Sequence, residues 1–450
     1  MTFRQAMLAV AVGAAMVAAG CGGTSSAGGS TTESASQIPK YNPSEKVSIT
    51  YWVPFTGSEL KIVQGVVKGF EKTQPNIKVN VVGNINDEKI IAAVRSGNVP
   101  DAALSFTTDN TGVFCRDGTF LSLGGVIQRE GIDLNNFPKA QREYTEYKGN
   151  RCVLPAMADV YGLYYNKQMF AKAGIGSPPK TISELNEDAK KLTQGSGSSL
   201  SVVGFTPYIG FYENSAAHFA PLFNAQWQIE GKSALGTDKG WSEMAEWIKQ
   251  LVDFYGYSNL VRFQAGAGGE FTSSNAFMTG KLATVMDGEW RTALIKSEAP
   301  SLQYETAPMP VADGHSELYG GGYTTGNITG IPKGAAHPAA AWKLIEYLAT
   351  NPKPQTELAE GLGNVPTWKP VLETLAPKVS RQFRNMLTIF DNPHTTTTPI
   401  TPAGAASQQL VERYLEKYQA GEGGELKQGL SQLASQINAA EAQAAGPSAP

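Results

Sequence analysis

The segment between residues 46 and 106 alternates between strand-like and helix-like hydrophobic patterns. Residues 46–53, 77–82 and 101–106 form the short apolar or alternating runs that are typical of buried strands. Between them, residues 60–74 and 87–97 repeat apolar side chains every three or four positions, as an amphipathic helix does. The order strand, helix, strand, helix, strand predicts a doubly wound α/β sheet.

The chain is long enough for more than one unit of this kind. Its 450 residues correspond to about three average domains or two large ones, and 48 Gly and 26 Pro predict many turns between short elements. The formal net charge is −3, and no stripe of Lys and Arg is visible. Because nucleic-acid binders normally carry a basic excess, nucleic acid is not an expected partner.

A second series of elements begins after residue 150. Residues 152–155 predict a short strand and residues 156–159 an irregular link, followed by a strand at 160–166 and a helix at 167–173. Residues 181–184 (TISE) have the form of a helix capping box. The further predicted elements are strands at 282–286 and 327–331 and helices at 241–255, 337–350, 353–361, 377–390, 404–418 and 425–441.

The first twenty residues predict an export signal. Residues 6–20 carry no charge, follow Arg4 and end in small residues before Cys21, and they are too few to span a bilayer as a helix. This junction resembles a bacterial lipobox, which implies lipidation at Cys21, although Ala18 stands where a large aliphatic residue is usual. Residues 21–45 are expected to be a flexible tether and 444–450 a disordered tail. Ordinary secretion with an incidental cysteine is the alternative.

Two further cysteines, Cys115 and Cys152, remain in a chain that the signal assigns to an oxidising compartment. An even number of cysteines in such a compartment favours a disulfide between them, and two free buried thiols are the alternative. The four His residues lie far apart and no C-x-x-C is present, so neither a metal site nor a cofactor is expected. Tandem tyrosines at 164–165 could suggest ferric-ion capture, but packing explains them more simply.

Enzyme motifs are missing from the sequence. It contains no G-x-S-x-G nucleophile elbow, no phosphate-cradling glycine loop and no H-E-x-x-H. The remaining possibility for an enzyme is a catalytic pair of carboxylates among the 40 acidic residues, because such pairs cleave glycosides. The expectation is that the protein is not an enzyme.

Aromatic residues stand beside short acids and amides at the predicted strand ends and loops. An aromatic face can pack against the apolar C–H face of a sugar, while carboxylates and amides bind its hydroxyls. The residues of this type are Trp52, Phe55, Asp109, Asp159, Tyr161, Tyr208, Tyr212, Glu213, Trp227, Glu289, Trp290, Tyr323 and Asn364.

From about residue 47 to residue 429 the chain resembles the carbohydrate-type solute-binding proteins of ABC importers, the family that includes maltose-binding protein. The resemblance rests mainly on residues 154–175, with YYNK and F-x-x-A-G, and on 277–291, with G-K-x-A-x-x-x-D-G-x-W. It implies two α/β lobes of the type II periplasmic-binding fold, joined by hinge strands near 156–160, 309–313 and 349–353. Residues 46–157 and 311–351 would form the first lobe, and 158–310 and 352–443 the second.

The resemblance also implies roles for individual residues. Trp52 would offer a stacking surface and Asp109 a hydroxyl acceptor from the first lobe, while Asp159, Glu289 and Trp290 would hold the ligand from the other side. The full set of residues expected at the ligand is Trp52, Glu59, Asp109, Asp159, Tyr161, Tyr212, Trp227, Asp287, Glu289, Trp290, Gly322, Tyr323 and Asn364.

The function that follows from the resemblance is capture without chemistry. A lipid-anchored monomer on the outer face of the cell membrane would bind a sugar, of two rings or more, by hinge closure and deliver it to membrane permease subunits. Three alternatives stay open: a non-sugar solute, a secreted enzyme that cleaves glycans, and a surface protein without a small ligand.

Overall fold

The computed structural model describes residues 38–116 and 118–446. The strands among these residues are β1 Val47–Trp52, β2 Ile77–Val82, β3 Ala102–Ser105, β4 Glu146–Tyr147, β5 Asn150–Arg151, β6 Val153–Asn166, β7 Gln228–Ile229, β8 Lys232–Ser233, β9 Thr284–Gly288, β10 Tyr304–Ala307 and β11 Thr324–Gly330. The helices are α1 Gly57–Thr73, α2 Asp87–Ser96, α3 Thr111–Arg116, α4 Gly124–Glu130, α5 Lys139–Tyr144, α6 Lys167–Lys172, α7 Ile182–Leu192, α8 Ala216–Phe219, α9 Lys239–Tyr255, α10 Tyr257–Ala265, α11 Arg291–Glu298, α12 Pro338–Thr350, α13 Pro352–Leu362, α14 Lys369–Leu375, α15 Arg381–Phe390, α16 Ala406–Gln419 and α17 Leu426–Ala445.

The main sheet has the strand order β10-β6-β11-β3-β1-β2, and β9 also pairs with β6. β1 lies parallel to both β2 and β3, as the predicted strand–helix–strand series requires. β11 runs antiparallel to β3 and β6, and β6 runs antiparallel to β9 and β10. The fold is therefore α/β, and the main sheet has two parts, one around β1 and one around β9 and β10, that meet at β6.

β6 corrects the expectation of a short strand followed by an irregular link at 156–159. It is one continuous strand of 14 residues. Its first part pairs with β11 from Val153 to Val160, and its second part pairs with β9 and β10. Nearly every residue is buried on both faces, so the alternation that marks a half-exposed strand is missing from this sequence.

One hydrophobic core, called here the first core, gathers around β1 and its neighbouring helices. Val63, Val66 and Phe70 form the buried stripe of α1, as the periodicity predicts, and Pro75 follows the helix end. Ile38 and Tyr41 are also buried in this core. Ordered packing thus begins inside the segment predicted to be a tether, while Cys21 and residues 21–37 lie outside the described residues.

A second, larger core surrounds α9. The predicted stripe of this helix is buried throughout: Trp241, Met244, Ile248, Leu251 and Tyr255. The neighbouring helix α7 begins with the predicted capping box, in which Thr181 Oγ1 accepts from the N–H of Glu184 and the Glu184 carboxylate accepts from the N–H of Thr181.

The two cores divide the chain in a definite order. Along β6, Met157 belongs to the first core and Ala158 to the second. Ala312 and Tyr323 belong to the second core, and Ile331, after β11, belongs to the first. Helix α13 contacts both cores, with Leu358 and Leu362 in the first and Ala359 in the second.

Cys115 and Cys152 form a disulfide with a Cα–Cα distance of 5.3 Å, as the sequence predicts. The bond links α3 to the residue just before β6, and both sulfurs are buried in a small cluster with Phe114 and Phe120. The strand that joins the two parts of the main sheet is therefore covalently linked to the first half of the molecule.

Helix α17 extends to Ala445, so the start of the predicted tail at 444 is helical. Residues 447–450, like the predicted signal at 1–20, lie outside the described residues. Within residues 38–116 and 118–446, no helix combines the length and apolarity needed to cross a membrane.

Candidate functional site

A cleft with a volume of about 590 Å³ opens between the first and second cores. Its lining comes from the segments after β1 and β3 and the start of α1 on one side, and from the segment after β9, α11 and the segment after α13 on the other. The lining residues are Phe55, Thr56, Gly57, Ser58, Glu59, Phe106, Asp159, Glu213, Phe271, Trp290, Ala293, Leu294, Asn327, Leu362 and Asn364.

Two phenylalanines form the aromatic surface on the first side. Phe55 follows β1 and is anchored in the first core, and Phe106 follows β3 with 48% of its surface exposed. Their rings meet edge to face at 4.9 Å between centroids. Glu59 lies beside them in the first turn of α1. Parallel strands bring these residues together because their carboxyl ends meet at one edge of the sheet.

Trp290 and Phe271 form the aromatic surface on the opposite side. Their centroids are 6.4 Å apart, and Trp290 packs edge to face on Tyr161 at 5.6 Å. The Trp290 ring also lies directly over Gly288, where an added Cβ would come within 2.2 Å of it. Gly288 therefore permits the ring orientation that brings Trp290 to the cleft.

The floor of the cleft contains a pair of acidic side chains joined by one amide. Asn364 Nδ2 donates to Asp159 Oδ1 at 2.6 Å and to Glu289 Oε1 at 3.1 Å, and the N–H of Val160 donates to Glu289 Oε2 at 2.8 Å. Burial raises the pKa of Asp159 to about 7 and that of Glu289 well above its ordinary value. Two buried carboxyls this close are expected to share a proton at neutral pH.

A second acidic group lies beside the floor. Burial, with the like charge of nearby Glu270, raises the pKa of Glu213 well above its ordinary value. Asp287 is fully buried, and Arg291 Nε donates to its Oδ2 at 2.6 Å. Arg291 Nη1 donates to the backbone carbonyl of Glu270 at 2.8 Å. Arg291 is thus committed to Asp287 and Glu270.

Aromatic rings support the floor from behind. Tyr161 stacks on His218 with centroids 3.8 Å apart, and Tyr323 lies 4.9 Å from His218. Tyr161 and Tyr323 are buried and belong to the second core, and His218 is partly buried beside them. They hold the floor in place without lining the cleft.

Four of the residues expected at the ligand line this cleft: Glu59, Asp159, Trp290 and Asn364. Glu289 lies beneath the lining and accepts a hydrogen bond from Asn364. Tyr161 packs edge to face against the Trp290 ring. Asp287 is buried in its pair with Arg291.

The structure places the other expected residues away from the cleft. Trp52 packs in the small cluster that contains the disulfide, and Trp227 packs edge to face on Trp241 at 4.6 Å. The Tyr212 hydroxyl donates to the carbonyl of Ala267 at 2.8 Å. Each of these side chains is engaged within the protein.

Asp109, Gly322 and Tyr323 are engaged with a segment near residues 395–408. Asp109 Oδ1 accepts from Gln408 Nε2 at 2.6 Å, and the N–H of Gly322 donates to Thr395 Oγ1 at 3.2 Å. The Tyr323 hydroxyl lies 3.2 Å from Thr398 Oγ1. This segment therefore covers positions that the resemblance assigned to the ligand.

Phe106, Phe271 and Asn327 line the cleft without having been selected from the sequence. Phe106 could have been found, because it ends a predicted strand at the same edge as Phe55. Phe271, 61% exposed, follows a glycine-rich stretch at 266–269 that carries no periodic signal. Asn327 lies within β11, where an amide gives no sign of whether it faces core or cleft.

The cleft is suited to binding rather than to metal chemistry. Among the described residues, no group of three or more His, Cys, Asp or Glu is arranged to hold a metal ion. None of the described lining residues is Lys, Arg or His. Opposed aromatic faces above acceptor groups fit a ligand with apolar faces and many hydrogen-bond donors.

A larger depression of about 920 Å³ lies elsewhere, between the β4–β5 and β7–β8 hairpins and the end of α17. Tyr147 is the one aromatic residue in its described lining, and its charges are mixed, with Lys148 and Lys232 beside Glu146 and Glu441. It lacks the opposed rings and the buried floor of the cleft, so the cleft is the better candidate site.

Comparison with known proteins gives a consistent result. Residues 65–383 match the family described as bacterial extracellular solute-binding protein. The maltotriose-binding protein of Pyrococcus abyssi is 24% identical over 327 residues, which cover 72% of this chain and 67% of that one. The solved structure of CpMnBP1 with mannobiose bound is 25% identical with a TM-score of 0.77, covering 87% of this chain and 100% of that one.

A third relative has a different ligand in its name. The sn-glycerol-3-phosphate-binding periplasmic protein UgpB of Yersinia pestis is 29% identical over 197 residues, which cover 42% of this chain and 45% of that one. The similarities thus agree on a solute-binding protein and differ in the solute that the relatives' names give.

Proposed function

The chain belongs to the bacterial extracellular solute-binding proteins, and from that premise we propose that it captures a sugar outside the cell for an ABC importer. The observation that carries this proposal is the pair of opposed aromatic surfaces, Phe55 with Phe106 and Trp290 with Phe271, above a floor of carboxyl and amide groups. Sugar rings pack against aromatic faces while their hydroxyls donate to such acceptors.

The size of the cleft supports a ligand of two or more rings. Its volume of about 590 Å³ lies within the usual range for small-molecule sites, and aromatic pairs stand at both sides. The relatives named for maltotriose and for a mannobiose complex point to the same class. A disaccharide or short oligosaccharide is therefore the proposed ligand.

Closure of the two lobes would follow from contacts that a ligand makes with both. Glu59 and Phe106 belong to one side and Trp290 to the other, so a bound sugar gains contacts as the sides approach. Micromolar affinity requires about −8 kcal/mol, which stacked rings and several hydrogen bonds can supply.

The proposal also covers the anchoring of the protein to the membrane and the transporter that receives its ligand. Cleavage before Cys21 and lipidation there would anchor a monomer to the outer face of the cell membrane, with the following residues as a spacer. Permease subunits would recognise the closed form and receive the sugar. The two lobes would be joined near residues 156–160, 309–313 and 349–353, and the change of core between Met157 and Ala158 supports the first of these crossings.

Phosphorylated solutes are the first alternative, since one relative is named for glycerol 3-phosphate. Anionic ligands normally require Arg, Lys or a helix N-terminus with free N–H groups. The described lining includes the start of α1, which has no side-chain cap, but its charged side chains are Glu59, Asp159 and Glu213, and it contains no basic side chain. The charge of the cleft favours a sugar over a phosphate ester.

A glycan-cleaving enzyme is the second alternative. Asp159 and Glu289 bond to the same amide nitrogen, at 2.6 and 3.1 Å, and Glu289 is fully buried. Retaining and inverting glycosidases place two reachable carboxyls about 5 to 9.5 Å apart, on either side of the bond that breaks. Because Asp159 and Glu289 share one amide and Glu289 is fully buried, their arrangement favours sugar binding over glycoside hydrolysis.

Calorimetric titration with mono-, di- and oligosaccharides tests the proposal. We expect heat and a micromolar dissociation constant for at least one sugar of two or more rings, and no turnover in a reducing-end assay. Heat from an amino acid, a peptide or a phosphate ester, with none from any sugar, would contradict the carbohydrate ligand. Sustained release of reducing ends, abolished by Glu289→Gln, would show an enzyme.

Replacement of Trp290 with alanine is expected to weaken sugar binding at least tenfold, or about 1.4 kcal/mol, with little loss of stability. The reason is that its ring is half-buried and lines the cleft. Trp227→Ala serves as the matched control, because Trp227 packs on Trp241 outside the cleft and its loss should leave affinity unchanged. If Trp290→Ala instead unfolds the protein while the folded fraction keeps its affinity, Trp290 is a core residue.

A further inference from the structure

Residues 266–276, called here the Phe271 loop, carry the most exposed large apolar side chain of the described part of the chain. Phe271 is 61% exposed and lines the cleft. Single exposed apolar residues are common at protein surfaces, so exposure alone assigns no role to this ring. What distinguishes Phe271 is that polar contacts fix the loop around it.

The Tyr212 hydroxyl joins the two ends of the Phe271 loop. It donates to the carbonyl of Ala267 at 2.8 Å and accepts from the N–H of Ala276 at 2.9 Å. Ala267 and Ala276 are both fully buried, so this hydroxyl takes the place of water at their backbone groups. A single side chain thereby closes the loop.

The middle of the loop is held as well. The carbonyl of Glu270, directly before Phe271, accepts from Arg291 Nη1 at 2.8 Å and from Asn275 Nδ2 at 3.0 Å. Asn275 and Arg291 are both fully buried. Gly268 has φ +77°, and an added Cβ there would lie 2.2 Å from a carbonyl oxygen on the opposite side of the loop. The backbone that carries Phe271 is therefore fixed, although its ring is exposed.

The backbone of Tyr212 has a conformation that bulky residues adopt rarely, with φ +49°. Such a conformation persists only where the surrounding contacts determine it. The N–H of Asn214 donates to the carbonyl of Phe211 at 3.1 Å and closes a tight turn around Tyr212, whose ring stacks on Phe211 at 4.1 Å between centroids. This turn directs Tyr212 to the Phe271 loop.

The aromatic rings of the cleft form an inner and an outer pair. Phe55, 4% exposed, and Trp290, half-buried, are the inner pair beside the floor. Phe106 and Phe271 are 48% and 61% exposed, with centroids 4.9 and 6.4 Å from the inner ring on their own side. A sugar ring at the floor contacts the inner pair, and the next ring of the same chain contacts the outer pair.

We infer that Phe271 stacks on the second ring of a bound sugar chain and that Tyr212 is the positioning residue that holds Phe271 there. This inference rests on the proposed function and narrows its ligand to sugars that reach the outer pair. An aromatic side chain on a fixed backbone loses less freedom when a ligand binds, so its contact contributes more to affinity. Tyr212 acts only through the loop, because its hydroxyl is engaged there.

Calorimetry with the wild type and Phe271→Ala tests the contact with the second ring. The probes are glucose, maltose and maltotriose, and mannose, mannobiose and mannotriose. The wild type is expected to bind the two-ring sugar of at least one series at least tenfold more tightly than its single ring. Phe271→Ala should remove most of this gain and change the affinity for the single ring less than threefold. Phe254→Ala, which removes an exposed ring of α9 outside the cleft, is the matched control and should change neither.

Tyr212→Phe tests the positioning role, because it removes only the hydroxyl. Hydrogen exchange over residues 266–276 should rise in the free protein, and the affinity for the two-ring sugar should fall at least threefold. In the Phe271→Ala background the same change should have no further effect on affinity, whereas a general loss of structure would weaken both proteins equally. Tyr255→Phe removes a hydroxyl that donates to the carbonyl of Phe205 at 2.8 Å outside the cleft, and it should leave affinity unchanged.

Failure of this inference and failure of the proposed function give different results. If the wild type binds a sugar without a gain from the second ring, or if Phe271→Ala keeps that gain, the role of Phe271 is wrong and the sugar receptor stands. If Tyr212→Phe leaves the exchange of the loop unchanged, or weakens binding equally with and without the Phe271 ring, the positioning role is wrong. If the wild type binds none of the six sugars, the role of Phe271 falls together with the carbohydrate ligand.

Discussion

Replacing Arg291 with methionine is expected to lower the free energy of unfolding by about 3–5 kcal/mol. The guanidinium is fully buried, donates to Asp287 Oδ2 at 2.6 Å and also holds the carbonyl of Glu270 at 2.8 Å. Loss of the guanidinium leaves Asp287 buried without a cationic partner and leaves the backbone carbonyl of Glu270 without its hydrogen-bond donor. Chemical denaturation at pH 7, followed by circular dichroism, measures the loss.

The pH dependence of this loss identifies its cause. Burial raises the pKa of Asp287 from 3.8 to about 6 even with Arg291 present, and loss of the guanidinium raises it further. A carboxyl whose folded pKa is raised destabilises the fold as pH rises through the window between the two values. The part of the deficit that comes from Asp287 should therefore grow as pH rises above about 6, where the carboxyl ionises in the wild type but not yet in the variant, and it should vanish at lower pH, where Asp287 is protonated in both folded proteins.

Two controls complete this prediction. The double variant Asp287→Asn with Arg291→Met removes the stranded charge and should recover part of the stability. Lys249→Met breaks an exposed ion pair with Asp253 and should cost less than about 1 kcal/mol. An Arg291→Met deficit as small as that of Lys249→Met, or one independent of pH, would show that the buried pair is not what holds this region.

This buried pair also explains how a binding surface is built on the second side. Arg291 begins α11 directly after Trp290, and Asp287 is the next-to-last paired residue of β9. The ion pair fixes the turn between strand and helix, and Gly288 leaves room for the indole ring inside that turn. The position of Trp290 is therefore a consequence of buried electrostatics and one missing side chain.

Local periodicity was enough to predict much of the fold. The stripes of α1 and α9, the capping box of α7 and the strand order at the start of the chain all depend on contacts between near neighbours in sequence. β6 escaped this reasoning because both of its faces are buried, so its sequence lacks alternation. Tertiary burial, rather than local propensity, determines that strand.

Part of the candidate site could be predicted because it depends on topology, and part could not because it depends on contacts between distant segments. Asp159, Trp290 and Asn364 stand at strand ends or crossings, where topology alone brings side chains to one edge. Asp109 stands at such an end as well, yet Gln408 and Thr398 bond to its carboxyl from a segment almost 300 positions away. No sequence pattern indicated that the segment returns there, so the competing contact could not be foreseen.

The disulfide gives the second large expected effect. Cys115 and Cys152 are separated by 37 positions, and closing a loop of that size restricts the unfolded chain by about 4 kcal/mol. The double variant Cys115→Ala with Cys152→Ala should lower the free energy of unfolding by about 2–5 kcal/mol. Denaturant unfolding of the wild type and the variant, each with and without a reductant, measures this difference.

The comparison with reductant separates the covalent bond from the packing of the sulfurs. Both cysteines are buried beside Phe114 and Phe120, so the alanines also lose apolar contacts. Reductant should destabilise the wild type and leave the variant unchanged, and the remaining gap between the two measures packing. Because the bond fastens α3 to the start of β6, its loss is also expected to loosen the crossing toward the second core. Hydrogen exchange at β6 should then rise more than at α9, whereas a uniform increase would show that the bond acts only on the unfolded chain.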